Sequence, residues 1–139
     1  MANVIKITQR QAPNFRALIK KENDDLFNPV VDLATAEELA QEGITTAPIS
    51  FTIYRSTNAT APYIYNTDEA EPIPGYTNKA IDADALIEPS EASEGYNFTF
   101  TPENRKTFAF ERRGNYFVDF LLYPKVGAAV SWRTGVEVV

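Results

Sequence analysis

The stretch Gly114–Tyr123, GNYFVDFLLY, limits what this chain can fold into. As a strand it puts Tyr116, Val118, Phe120 and Leu122 on one face, and Phe117, Asp119, Leu121 and Tyr123 on the other. Both faces are mostly apolar, which is the pattern of a central strand covered on each side. In a small two-sheet domain one face of such a strand normally meets water. A chain of 139 residues has room for one sizeable core and little left to cover a second face. The expectation is that a partner subunit covers Phe117, Leu121 and Tyr123.

Composition agrees with a strand-rich domain. Val, Ile, Thr and the aromatics are plentiful, Leu is scarce, and nine prolines punctuate the chain. The apolar content of 44% excludes a disordered tail. With no cysteine there is no disulfide, no thiolate metal site and no cysteine nucleophile. No apolar run is long enough for a membrane-spanning helix, and MANVIKITQRQ lacks the apolar centre of a signal peptide. A soluble protein made in the cytoplasm is expected.

The net charge of −6 is unevenly spread. Up to Lys21 the charged residues are Lys6, Arg10, Arg16, Lys20 and Lys21, with no acid among them. Between Thr57 and Glu94 eight acidic residues stand against Lys79 alone. Such a division suits contact between copies or docking on a complementary surface, and equally suits two solvated faces.

Strands are expected at Val4–Thr8, Phe15–Lys20, Ile49–Ser56, Tyr96–Thr101, the Gly114–Tyr123 stretch and Val130–Val138. In ISFTIYRS, Ile49, Phe51 and Ile53 point inward while Ser50, Thr52 and Tyr54 point outward. One helix is expected, with Thr35 and Glu38 as a capping box, Ala36, Leu39 and Ala40 as its apolar stripe, and Gly43 as its terminator. The Pro-rich segment 57–94 shows only strand-like fragments at Tyr63–Tyr65 and Ala85–Ile87. Gly135 interrupts the last strand as a bulge or bend. The division expected is an N-terminal arm with the first strand over 1–14, then a β-sandwich over 15–139 with an inserted loop at 57–94.

Little catalytic chemistry is on offer. No histidine is present, so triads and histidine metal sites are excluded. The carboxylate pairs Asp24 with Asp25, Glu69 with Glu71 and Asp82 with Asp84 all fall in expected loops and read as solvated charge. Asp82 and Asp84 lack the glycine and final glutamate of a calcium loop, and the scattered glycines form no phosphate loop. The basic residues are too few for a nucleic-acid surface. Tyr54, Tyr63, Tyr65 and Tyr76 are candidates for stacking a sugar, or for covering the sandwich or an interface. Asn58-Ala-Thr60 and Asn97-Phe-Thr99 are glycosylation tripeptides with no secretory context. No catalytic residue, metal ligand or cofactor is assigned.

The segment RRGNYFVDF resembles the immunoglobulin-like pattern of a turn, then G-x-Y, then alternating apolar residues. The resemblance implies that the Tyr116 hydroxyl bonds back to the preceding corner. It implies too that Val118 stands where antibody domains have a cysteine, and that Phe51 or Ile53 replaces their core tryptophan. The implied fold is all-β: an immunoglobulin-like β-sandwich with one short helix, an extended N-terminal arm and a long Pro-rich acidic loop. FRALIKK, VVDLATA leading into ISFTIYRS, and YNFTFTPENR with GNYFVDFLLYP are also similar to small virion proteins of tailed bacteriophages. That family consists of cysteine-free immunoglobulin-like sandwiches that decorate capsids or attach baseplates and fibres. The similarity is one of patterning across most of the chain, with no diagnostic motif.

This resemblance implies a non-enzymatic virion protein assembled in the host cytoplasm. A capsid cement or decoration protein is expected, binding the major capsid protein or another virion protein as a homo-oligomer, taken as a trimer. A tail or baseplate adaptor and a carbohydrate-binding module are the alternatives. The stop at Val139, directly after the last strand, favours decoration over a fibre module. No nucleic acid, membrane or cofactor is expected. The expected interface residues are Lys6, Arg10, Arg16, Tyr63, Tyr65, Phe117, Leu121 and Tyr123, with an exchanged arm bringing Lys6 and Arg10 to a neighbour's acidic loop.

Overall fold

A computed structural model describes residues 3–8, 11–21, 24–56, 70–73, 75–90, 95–101, 110 and 112–139. Over these the chain is mostly β-strand with one short helix. The strands are β1 (Asn3–Ile7), β2 (Phe15–Ala17), β3 (Ile49–Ser56), β4 (Ala70–Pro72), β5 (Lys79–Ala80), β6 (Phe98–Phe100), β7 (Gly114–Leu122) and β8 (Val130–Val138). The helix α1 spans Ala36–Gln41.

The main sheet is mixed and runs β1-β8-β7-β3-β4, with β5 pairing a second part of the β3 edge. The doubly apolar strand β7 lies inside it, antiparallel to β8 on one side and β3 on the other. β1 is parallel to β8, from Asn3 opposite Thr134 to Ile7 opposite Val138. Within the expected arm, Asn3–Ile7 is therefore an edge strand of the chain's own sheet. β2 and β6 form a separate antiparallel pair.

The two sheets meet through aromatic rings. Phe15 of β2 and Phe98 of β6 pack edge-on against Phe120 of β7, with centroids 5.3 and 5.4 Å apart. Trp132 of β8 stacks on Phe120 at 5.3 Å and receives Phe98 edge-on at 5.2 Å. Edge-to-face and offset packing is how ring quadrupoles attract, adding roughly 0.5–1.5 kcal/mol per pair to the burial itself. Phe51, Ile53, Tyr116, Val118, Leu122 and Val136 belong to the same core.

Asn97 joins the smaller sheet to the chain after β2. Its side-chain oxygen accepts from the Ile19 backbone N–H at 2.7 Å, and its amide nitrogen donates to the Ile19 carbonyl at 2.8 Å. The side chain thus takes the place of a ladder pair where β2 has ended. Asn97 is 0% exposed, so the Asn97-Phe-Thr99 tripeptide is no glycan acceptor in this fold.

The helix has the expected caps. The Thr35 side chain accepts from the Glu38 backbone, and the Glu38 carboxylate accepts from the Thr35 N–H. Gly43, at φ 79, closes the other end, where Gly43 N–H reaches the Ala40 carbonyl and Ile44 N–H reaches that of Leu39. Of the expected apolar stripe only Leu39 is buried, because a helix this short turns a single side chain to the core.

Two expectations change. The described residues of the segment 57–94 are more regular than their sequence indicates, since β4, β5 and a 3-10 turn at Ala83–Ala85 fall among them. These pieces are too short for a periodicity of their own and are set by pairing with β3. Tyr76 and Ile81, from the same segment, are buried in the core. Gly135 keeps regular register, opposite Phe117 on one side and Val4 on the other, so it makes no bulge. The fragment Tyr63–Tyr65 lies outside the described residues.

Candidate functional site

The outer face of the main sheet, turned away from the core, explains the second apolar face of β7. Phe117 is fully buried, although it points away from the aromatic core. Its cross-strand neighbour Tyr54 stacks on it at 4.9 Å with an interplanar angle of 24°. The Arg133 guanidinium sits 4.3 Å from the ring centroid. That guanidinium is held by Asp119, directly opposite in register, with Nε to Oδ1 at 2.5 Å and Nη2 to Oδ2 at 2.9 Å. The carboxylate holds the Arg133 pKa above its ordinary value. Phe117 is therefore covered by the chain's own residues, which is why it is buried without a partner present. Sequence alternation identifies an apolar face without telling whether a neighbouring strand or a second subunit covers it.

The other expected interface residues are placed as follows. Lys6 is exposed on β1, 3.9 Å from Glu137 on the adjacent strand. Arg16 on β2 is exposed and lies over the Tyr96 ring at 4.6 Å. Leu121 and Tyr123 are half-buried. Arg10, Tyr63 and Tyr65 lie outside the described residues. By register Lys6, Leu121 and Tyr123 share the outer face of the main sheet, whereas Arg16 belongs to the β2–β6 pair.

A different surface has the character of an interface. The turn Asn28–Asp32 is locked by its own polar residues: Asp32 N–H donates to the Asn28 carbonyl at 2.8 Å, and Asn28 N–H to the Asp32 carboxylate at 2.9 Å. The Asn28 side chain accepts from Val30 N–H at 3.0 Å. The tip of this fixed turn presents Val30 and Val31, which are 69% and 62% exposed. It lies beside the β7–β8 hairpin, where Lys125 N–H bonds the Asp32 carbonyl at 2.7 Å and Val126 is 89% exposed. Between turn and hairpin runs a mainly apolar groove of about 500 Å³, with Phe27, Val31, Pro124, Val126 and Val130 along it.

Lysines border this groove, each engaged by an acid of the same chain. Lys20 pairs with Asp24 at 3.6 Å, Lys21 with Asp32 at 3.5 Å and Lys125 with Glu38 at 3.7 Å. Exposed pairs of this kind contribute little and exchange partners readily. The patch does have a sequence signal. Two adjacent valines between Pro29 and Asp32 occupy a turn, where polar residues are the rule.

Of the candidate carboxylates, Glu69 lies outside the described residues and Glu71 is exposed. Asp24, Asp25, Asp82 and Asp84 are all exposed. Among the described residues no three acidic side chains gather as a cation cage. No protein-family model, curated protein or solved structure matches the chain. Any functional reading rests on its own residues.

Proposed function

We propose that this chain is a non-enzymatic structural protein of a tailed-phage virion, a capsid cement or decoration protein that binds between capsomers. Its fold, on this reading, is an immunoglobulin-like sandwich. Three features support that fold assignment. β2 and β6 share one sheet while β8, β7 and β3 are neighbours in the other, the strand partition of such domains. The Tyr116 hydroxyl donates to the Arg112 carbonyl at 2.7 Å, as the tyrosine of the penultimate strand does there. Val118 is fully buried at the position of the missing cysteine.

The observation that carries the functional reading is the apolar groove with Val31 and Val126 exposed along it. Contiguous apolar surface on a fixed turn costs solubility and is retained where a partner covers it. The locked Asn28–Asp32 turn offers that surface without a further ordering cost on binding. The partner is the major capsid protein, and copies of this chain occupy equivalent junctions as a symmetric oligomer, a trimer at three-fold positions. The setting is the virion.

Co-sedimentation with capsids assembled without this chain, followed by imaging of the complex, tests the proposal. Saturable binding with density between capsomers is expected. Binding to tails alone would replace cement by adaptor, and binding to no virion part would reject the virion setting.

A further inference from the structure

A second concave surface takes no part in the assembly reading. It is a polar depression of about 520 Å³ on the outer face of the main sheet, and it shares no lining residue with the apolar groove. Two register rows cross it, Ser50–Leu121–Ser131 and Thr52–Asp119–Arg133. We infer that this depression binds a neutral saccharide.

Sugar recognition needs planar polar groups that meet neighbouring hydroxyls in pairs, together with a flat apolar surface for the C–H side of the ring. The depression has both. The Asp119 carboxylate and Arg133 guanidinium lie in it as a fixed two-point pair. Asn78 stands at its edge, tied to Thr52 by its backbone N–H at 2.9 Å and its side-chain oxygen at 3.4 Å. The NH₂ group of its amide takes no part in that contact. The half-buried Tyr54 ring is the platform, and its stacking on Phe117 fixes its orientation before any ligand arrives.

The polarity of the site selects among ligand classes. Asp119 and Arg133 neutralise one another, and Nε and Nη2 are both directed at the carboxylate. With the two charges balanced, neither an anionic nor a cationic ligand meets a net opposite charge there. An apolar ligand would strip water from Asn78, Ser131 and the ion pair while offering no hydrogen bond in return. A polyol replaces that water group by group. At the base, Ser50 is 1% exposed and its Oγ has no hydrogen-bond partner among the described residues. Such isolation is uncommon for a buried hydroxyl.

The test is titration of the full ¹⁵N-labelled chain with maltohexaose, cellohexaose and N-acetylchitohexaose, and separately with a sulfated oligosaccharide. At least one neutral sugar should give saturable shifts at the amides of Thr52, Asn78, Asp119 and Ser131. Ser131 is exposed, so Ser131→Trp should fill the depression and remove those shifts. Asn78 has φ 48, a conformation glycine adopts freely, so Asn78→Gly deletes the amide with little backbone strain. It should weaken binding by roughly tenfold, the loss of one well-placed hydrogen bond. Thermal melts near that of the unsubstituted chain verify folding, and Asn78→Gly carries the test if the tryptophan variant does not fold. The inference fails if no neutral sugar gives shifts, if the shifts survive both substitutions, or if only the sulfated ligand binds.

Discussion

The Tyr116 hydroxyl donates to the carbonyl oxygen of Arg112, four residues earlier, at 2.7 Å. The bond closes the corner through which the chain enters β7, and Phe110 packs edge-on against the same ring at 5.2 Å. Tyr116→Phe keeps the ring packing and removes the bond. It should destabilise the fold by roughly 1 kcal/mol and lower Tm by roughly 3–5 °C. An unchanged melting temperature would show that the corner is held by packing alone.

Asn97 replaces backbone pairing between β6 and the segment after β2 with both ends of its amide. Asn97→Ala leaves the Ile19 N–H and carbonyl without these partners in a buried setting. The expected cost is roughly 2–4 kcal/mol, larger than that of Tyr116→Phe because two buried polar groups are orphaned. Urea unfolding of the two variants side by side measures the order. The reverse order would contradict the role given to Asn97.

Arg133 covers Phe117 while pairing with Asp119. Its alkyl stem and its charge are separable by substitution. Arg133→Ala removes both and should cost roughly 1–2 kcal/mol, whereas Arg133→Met keeps a covering stem and should cost less than about 1 kcal/mol. Equal losses in chemical unfolding would assign the stabilisation to the ion pair and not to the covering of Phe117.

Glu38 gives a pH signature. The hydrogen bonds from Thr35, backbone first and then side chain, lower its pKa, and Lys125 adds to the effect. A carboxyl whose pKa is depressed on folding stabilises the native state above its unfolded pKa and loses that contribution as pH falls through the folded value. Glu38→Ala should therefore lower the urea midpoint at pH 7, and the difference from the unsubstituted chain should shrink steadily in acid. A difference independent of pH would mean that the carboxylate charge contributes nothing.

Long strands were legible in the sequence because their alternation is long enough to read. ISFTIYRS and the final strand have the expected bounds, and the Thr35–Glu38 capping box marks the helix. β4 and β5 were not legible, since two or three residues carry no period and their pairing depends on a distant edge. Phe117 shows a second limit. Its burial is produced by Tyr54 and Arg133, which are brought to it only by strand register, so a sequence reading assigns that cover to a partner. Asn97 is a buried clamp, a role its glycosylation tripeptide does not indicate. The candidate interface had a readable sign in Val30 and Val31. Its continuation through Val126 arises only when the turn and the hairpin lie side by side.

The central functional claim is that this turn-and-hairpin surface is the face that meets the virion. The most direct measurement is co-sedimentation of the unsubstituted chain and of Val31→Asp with Val126→Asp, over a range of concentrations, on capsids assembled without it. Both substitutions fall on exposed side chains, so the fold should change in stability by less than about 0.5–1 kcal/mol. The account predicts saturable binding of the unsubstituted chain and at least a tenfold weaker association of the variant, the effect of placing charge in a desolvated contact. Equal binding of the two would contradict it and move the contact to another face of the molecule.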